Sequence, residues 1–444
     1  MGIAVEMGTS VFAGQNNRGA TVIDWDPSRA ISPHAIIVGS SGSGKTYRLR
    51  YIIKNMIRQN PNVKIHILDV HGDIAPNASD DCRVEFSETE ENGLNPLEIE
   101  LDPKFGGVRR RINTFVSMIN RTTQKLGSRQ EAVLRALLSE LYDLNGYDPR
   151  DASTWNPKTN RRAMGKAKAT GEHPTISDLR VLTEWRAKNL LLGAGSKAIK
   201  ALNEVNKSQK KVYKARKLGK EDPEAEVQLA LQKSNLKEMM TAYVDSIETG
   251  IELDELLNFD NVEILKVVLE RLKALDAAGI FRDCPPRFAR NKPLRVYDIK
   301  ALQEDEQSMF AEVLLERLFV EAKARGQTSE PDTFIIIDEA HKFLTPDADH
   351  IINRMLREIR KFGVGLVLVS QSFDHFPEDV IANSAMTMIL GLHDMQHGRT
   401  EKKLSMKKDK LKFIKPQQTA LVQVRNRDTG GALTNTFVDI KLPE

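Results

Sequence analysis

The residues best suited to chemistry lie in the run GSSGSGKT, residues 39–46. Glycines leave backbone N–H groups free to turn around an anion, and a helix beginning at the lysine adds partial positive charge. Such a lysine reaches the β- and γ-phosphates of a nucleotide, and the hydroxyl after it ligates Mg²⁺. A flexible linker would need neither the preceding apolar strand AIIVG nor the lysine. The pattern predicts a phosphate-binding loop, or P-loop, whose members are Gly39, Ser40, Ser41, Gly42, Ser43, Gly44, Lys45 and Thr46.

A pair of acids follows a second apolar strand in the run TFIIIDEAHKFL, residues 333–344. In P-loop enzymes the first acid holds Mg²⁺, usually through water, and the second polarises the water that attacks the γ-phosphate. Adjacent carboxylates are costly together unless a cation lies near them. The alternative is an acidic surface turn after a strand. With the P-loop in the same chain, we expect Asp338 and Thr46 to bind the metal and Glu339 to be catalytic.

A neutral amide follows the third apolar strand, in VGLVLVSQSF. Gln371 at this place could contact both the γ-phosphate and the attacking water, and so report the nucleotide state. A glutamine after a buried strand is often only a polar cap. The prediction that Gln371 is a sensor depends on its order after the P-loop and the acid pair.

Composition limits the remaining choices. The chain has 444 residues, 40% of them hydrophobic and 28% charged, which is enough for two or three domains with a large core. No apolar run reaches the ~18 residues of a membrane span, and residues 1–14 lack the features of a signal peptide. Cys82 and Cys284 stand far apart, which disfavours a zinc site or a disulfide framework. We expect a cytoplasmic protein without an integral membrane segment.

The net charge of +4 is unevenly distributed. Residues 158–220 contain 17 Lys and Arg against 4 Asp and Glu, a local charge of +13, so the rest of the chain carries −9. Such a segment could neutralise nucleic-acid phosphates, with strongly salt-dependent binding. A solvated helical face is the alternative. Aromatic residues are sparse there, which disfavours a base-stacking surface.

The order of predicted elements gives an α/β fold. Residues 1–33 form a short β-rich lead-in, and residues 34–144 and 291–444 alternate strands with helices, which is typical of a mostly parallel sheet flanked by helices. Residues 145–290 have the pattern of an inserted, basic helical module. A break near Glu221, Asp222 and Pro223 predicts a helical hairpin there.

The motifs, taken in order, resemble the HerA/FtsK superfamily of ring-forming, DNA-pumping ATPases, especially HerA and the conjugative type IV secretion ATPases. The resemblance is carried by VGSSGSGKT, ILDVHGD, LNPLEI, VYDIKAL, FIIIDEAHKFL, IRKFGVGLVLVSQ and TALVQVR. It covers residues of about 30–140 and 293–440. The chain departs from the family in having only about 30 residues before the P-loop strand and a longer, more basic insertion.

The resemblance implies a RecA-like P-loop core, ATP and Mg²⁺ as cofactors, and a homohexameric ring. Each site would be completed by an arginine of the neighbouring subunit, here Arg357 or, preferably, Arg360. It also implies that His71 and Asp73 lie beside the nucleotide.

The function we expect is that of an ATP-driven motor that pumps double-stranded DNA through a central channel. Three further functions remain open at this point. The first is a secretion-system motor, the second an antiphage-defence ATPase assembled with a nuclease or other effector, and the third a nucleotide-gated DNA clamp. The presence of Glu339 and Gln371 argues against a clamp that does not hydrolyse ATP.

Overall fold

The structure is a computed structural model. It describes residues 2–11, 21–75, 77–104, 106–122, 124–160, 173–192, 197–217, 223–245, 262–328, 330–407, 409–427 and 436–443. The chain divides into two compact units, one of Met1–Asn95 with Ala278–Glu444 and one of Pro96–Ala277. We call these the sheet unit and the helical unit. The basic run 161–172 and the predicted hairpin turn at 218–222 lie outside the described residues.

The sheet unit contains one sheet, which has eleven strands within the described residues. They are β1 (Val5–Ser10), β2 (Val22–Trp25), β3 (Ala35–Val38), β4 (Lys64–Asp69), β5 (Arg83–Glu85), β6 (Leu294–Asp298), β7 (Thr333–Ile337), β8 (Val364–Ser370), β9 (Met386–Ile389), β10 (Thr419–Val424) and β11 (Val438–Lys441). Their order across the sheet is β2-β1-β11-β10-β9-β3-β8-β7-β4-β6-β5.

The strands from β9 to β5 in that order are all parallel to one another. The four strands β10, β11, β1 and β2 extend the sheet in antiparallel pairs. The lead-in strands β1 and β2 therefore form one edge of the same sheet. The predicted α/β fold with a mostly parallel sheet is confirmed.

Burial explains why the central strands are unbroken apolar runs in the sequence. Every residue of β3, β7 and β8 is buried, as expected of parallel strands that are covered on both faces. Helix α1 (Lys45–Gln59) packs on one face through Leu49, Ile52 and Met56, at helical spacing. This packing fixes the start of α1, and with it the P-loop, over the end of β3.

The remaining helices of the sheet unit are α8 (Glu304–Arg325), α9 (Ile351–Glu358), α10 (Glu378–Asn383) and α11 (Asp394–Lys403). The helical unit contains α2 (Val108–Thr122), α3 (Ser128–Leu144), α4 (Ile176–Leu192), α5 (Lys197–Lys217), α6 (Pro223–Asp245) and α7 (Val262–Ala277). Within this unit α2 packs on α3, α3 on both α4 and α7, α4 on α7, and α5 on α6. Helices α2 and α3 belong to the helical unit. The boundaries of the inserted module at residues 145 and 290 stay a prediction.

No helix among the described residues is both long enough and apolar enough to cross a membrane. The parallel strands instead bring their carboxyl ends to one edge of the sheet. In order, β3, β8, β7 and β4 are adjacent there, and each is followed by residues that the sequence singled out. Ligands bind at this edge of parallel α/β sheets.

Candidate active site

The P-loop is tied to the ends of both strands that flank β3. The N–H of Gly39 donates to the carbonyl of Ser370 at 3.2 Å, and the N–H of Ser40 donates to that of Gly391 at 2.8 Å. Gly42 and Gly44 adopt φ values of 78° and 91°, a region that disfavours a Cβ. The two glycines allow the loop to turn tightly before α1 begins at Lys45.

The Lys45 side chain folds back over this loop. Its Nζ donates to the carbonyls of Gly39 at 2.8 Å and Ser40 at 3.3 Å. The buried Ser43 hydroxyl has no hydrogen-bond partner among the described residues. An ammonium, an unpaired hydroxyl and a helix N-terminus therefore converge on one loop, an arrangement suited to a phosphate.

The acid pair lies at the end of β7, two strands from β3 and therefore about 10 Å away across the sheet. Asp338 is 7% exposed and Glu339 is 5% exposed. Burial, and next the neighbouring charge of Glu339, raise the pKa of Asp338 to about 6. Glu339 has φ 46° and ψ 45°, a left-handed conformation that is uncommon for a residue with a side chain. The turn keeps both carboxylates at the carboxyl edge.

Three polar side chains surround the Glu339 carboxylate. Gln371 donates from Nε2 to Oε1 at 2.9 Å, and His71 places its Nε2 3.7 Å from the same oxygen. His341 Nδ1 lies 3.1 Å from Oε2. Burial lowers the pKa of His341, while the charge of Glu339 opposes this shift. The structure thus brings Gln371, His71 and His341 around Glu339, while the roles predicted for Glu339, Gln371 and His71 stay predictions.

A second histidine supports His341 from the loop after β8. The rings of His341 and His375 stack, with centroids 4.7 Å apart and an angle of 28° between their planes. His375 Nδ1 is 3.2 Å from the Ser370 hydroxyl. The stack links the acid pair to the strand that carries Gln371.

The loop after β4 is held by a buried carboxylate. Asp69 is fully buried and accepts hydrogen bonds from the N–H groups of Gly72 at 2.8 Å and Ile74 at 3.2 Å. These bonds fix the turn that carries His71, whose side chain is 54% exposed. Asp73 is exposed, and its charge contributes to the raised pKa of Asp338. Both predicted loop residues therefore lie on the side of the acid pair.

The side chains near the P-loop and the acid pair offer few ligands for Mg²⁺. No group of three or more His, Cys, Asp or Glu side chains within the described part of the chain could hold a metal. Mg²⁺ in nucleotide sites uses one or two protein oxygens, with water and phosphates completing its octahedron. A buried carboxylate with a raised pKa and the half-buried Thr46 hydroxyl at the start of α1 fit that smaller set.

The two predicted arginines do not lie in this site. Arg360 precedes β8, and its guanidinium donates to the carbonyl of Ile31, while Arg357 donates to that of Ala348 at 2.6 Å. The seven residues of β8 span roughly 20 Å between this end and Gln371. Both side chains are exposed. Neither arginine reaches the P-loop of its own chain.

A cavity of about 1330 Å³ adjoins the P-loop at Ser43 and Gly44. Tyr47 of α1 and Phe413, which are 61% and 69% exposed, line it. Gln417 also lines it and donates from Nε2 to the Gly42 carbonyl at 3.2 Å. Aromatic walls next to a phosphate loop suit the base and ribose of a nucleotide.

Sequence reasoning missed several of these residues for different reasons. The position of His341 two residues after Glu339 was a local signal that could have been used. Tyr47 also follows the P-loop directly. Gln417 and His375 gave no signal, because their proximity to the site depends on how distant segments fold.

Comparison with known proteins identifies the family. Residues 14–318, more than half of the chain, match the family described as the central domain of the helicase HerA. An uncharacterised protein of Aquifex aeolicus (strain VF5), aq_aa31, is 33% identical over 48 residues, which are 11% of this chain and 18% of that protein. The chain therefore spans less than a fifth of the curated relative it matches.

Solved structures share the fold at low identity. VirB4 of Thermoanaerobacter pseudethanolicus is 15% identical, with 99% of this chain and 96% of that chain covered and a TM-score of 0.64. The plasmid coupling protein TrwB, in complex with a GTP analogue, is 11% identical, with 93% of this chain and 85% of that chain covered and a TM-score of 0.50. TrwB has the same values of coverage and TM-score, at 12% identity, in complex with an ATP analogue. The chain belongs to the family of the HerA helicase central domain and is a P-loop ATPase of the HerA/FtsK superfamily.

Proposed function

We propose that the protein is an ATP-driven motor that moves double-stranded DNA through a ring of six identical subunits. Glu339 activates the attacking water and Gln371 senses the γ-phosphate. Asp338 and Thr46 would hold Mg²⁺, which neutralises phosphate charge when it is bound. Lys45 binds the β- and γ-phosphates. The placement of these residues on adjacent strand ends supports the assignment. We propose the cytoplasm as the place of action.

The single observation that supports a ring of subunits with shared ATP sites is the position of Arg360. Phosphoryl transfer builds negative charge on the γ-phosphate, and a guanidinium that stabilises it can raise the rate by about 10³–10⁵-fold. Arg360 is exposed at the amino end of β8, roughly 20 Å from the end that carries Gln371. Arg360 can act on a P-loop only if a second subunit supplies it, and this supports a site formed at the seam between two copies.

The decisive experiment measures ATPase turnover with and without duplex DNA, alongside the mass of the assembly. We expect a hexamer whose turnover rises strongly when duplex DNA is added. A monomer that hydrolyses ATP at full rate would overturn the shared site. A hexamer that is indifferent to DNA would overturn translocation while leaving the shared site intact.

A motor of a conjugative secretion system is the second candidate. The fold shared with VirB4 supports it, and TrwB, which also shares the fold, is described as a bacterial conjugative coupling protein. Stimulation of turnover by a secretion-system protein, without stimulation by DNA, would favour this candidate.

A further inference from the structure

Helices α5 and α6 of the helical unit pack along each other. On α5, Ala201, Val205, Ser208 and Val212 are each at most 8% exposed. With 3.6 residues per turn these four lie on one face. On α6 the half-buried positions Ala225, Leu229, Gln232, Leu236 and Met239 repeat with the same helical spacing. The apolar face of α5 is therefore already covered.

The opposite face of α5 carries a row of lysines. Lys210, Lys214 and Lys217 are exposed and lie within about 60° of one another, on the far side of the helix from Val212. The row is about 10 Å long, at a rise of ~1.5 Å per residue. Within the described part of the chain, no ion pair involves any of these three lysines. Their positive charge is therefore not neutralised by acids of the described hairpin.

Charge is segregated between the two helices. Residues 197–217 contain seven lysines and one arginine against one glutamate, a net charge of +7. Residues 223–245 contain two lysines against four acids, a net charge of −2. A helix pair that needed charge only for solubility would have no reason to place it on one side. The asymmetry indicates a polyanionic partner on the α5 side.

We propose that the row of Lys210, Lys214 and Lys217 binds the phosphate backbone of duplex DNA, an inference that rests on the proposed motor function. Lysines act as point charges and cannot read base edges bidentately, so the contact is independent of sequence. An anionic membrane fits less well. A helix that lies in a membrane surface needs a free apolar face beside its lysines, and α5 buries that face against α6.

The chain offers a matched pair of variants for the test. K210Q/K214Q removes two exposed lysines four residues apart on α5, and K233Q/K237Q removes two with the same spacing on α6. Glutamine has nearly the helix propensity of lysine. Binding of the full-length protein to a labelled duplex of arbitrary sequence is measured by anisotropy over a series of KCl concentrations. ATP turnover without DNA confirms that both variants are folded.

We expect K210Q/K214Q to reduce the slope of log K against log salt by about 1.8, which is ~0.9 for each lost phosphate contact, and to weaken binding at least tenfold at low salt. K233Q/K237Q should leave the slope unchanged. Equal slopes for the two variants would overturn the proposal that the α5 lysines bind DNA, but not the proposed motor function. Wild-type protein that does not bind duplex DNA would overturn both. If K210Q/K214Q lost binding to phosphatidylserine vesicles but bound duplex DNA as wild type does, the assignment to DNA would be overturned.

Discussion

Gln371 donates a hydrogen bond of 2.9 Å to Glu339, so the proposed sensor is in direct contact with the proposed catalytic carboxylate. The two residues follow adjacent parallel strands, β8 and β7. A rearrangement of Gln371 toward a γ-phosphate would release Oε1 of Glu339 to accept a proton from water. With the proposed roles of the two residues, the contact would couple nucleotide state to the position of the base.

Replacing Gln371 by methionine tests this coupling. Q371M keeps the length of the side chain and removes the amide, so we expect kcat to fall about 10²-fold while KM for ATP stays nearly constant. Steady-state kinetics measure both parameters. Gln124→Met, at an exposed position in the helical unit, serves as the control. A Q371M enzyme with normal kcat would contradict the role of Gln371.

Replacing Glu339 by glutamine tests the base itself. E339Q preserves shape but cannot accept a proton, and we expect turnover to fall by about 10²–10⁴-fold with nucleotide binding retained. Turnover and the affinity for a fluorescent ATP analogue are the two measurements. E358Q, a half-exposed acid outside the site, should behave as wild type. Substantial turnover in E339Q would show that another group activates the water.

Much of this site could be predicted from the sequence because each motif is local. The order of types from Gly39 to Thr46 predicts a turn and a helix start, and an apolar run followed by Asp338 and Glu339 predicts a strand that ends in acids. The contact between Gln417 and Gly42 could not be predicted, since 375 residues separate them. The same is true of the pairing of β5 with β6 and of β11 with β1, because each of these partners is distant in sequence.

The cavity beside the P-loop leads to a prediction about nucleotide affinity. If Tyr47 and Phe413 contact the base, Y47A/F413A should raise KM for ATP at least tenfold and change kcat little, since an aromatic contact is worth ~1 kcal/mol or more. Initial rates over a range of ATP concentrations provide the test. Tyr213→Ala, at a 68% exposed tyrosine of α5, is the control. An unchanged KM would place the base elsewhere.

The buried His34 predicts how stability depends on pH. His34 is 1% exposed, and its Nδ1 accepts a hydrogen bond from the N–H of Leu366 at 3.0 Å. Burial lowers its pKa from 6.5 to about 3. Because the unfolded chain binds this proton at higher pH than the folded chain, stability is full above pH 6.5. It falls by about 1.4 kcal/mol per pH unit as pH decreases from there toward 3.

Urea unfolding at several pH values measures this slope. His66 is buried with a pKa also lowered to about 3, so His34 and His66 should together take up nearly two protons on unfolding near pH 5. Asp338, whose pKa is raised to about 6, releases most of a proton on unfolding at that pH and offsets part of this uptake. On unfolding, H34Q should take up one proton fewer than wild type, whatever its free energy of unfolding at pH 7. An identical slope in wild type and H34Q would show that His34 does not titrate as its burial implies.

Mixing two inactive variants tests whether the ATP site is shared between subunits. R360A should lower turnover by about 10³-fold or more, and K45A should abolish it through loss of phosphate binding. In mixed rings, some seams combine the intact Arg360 of a K45A subunit with the intact P-loop of an R360A subunit. These seams contain every residue that catalysis needs. Turnover should therefore reappear on mixing and reach a maximum at intermediate ratios.

The variant R360K distinguishes two roles of Arg360. In one role the guanidinium stabilises the γ-phosphate of the neighbouring subunit, and in the other it only holds the local structure. Its guanidinium donates to the carbonyl of Ile31, so alanine could act by loosening that contact. R360K keeps the positive charge and loses the planar fork that matches phosphate oxygens, and we expect turnover between those of wild type and R360A, with the mass of the assembly unchanged. If mixing R360A with K45A restores no turnover although the mixed rings form, the arginine does not act across the seam. A different cation must then complete the site.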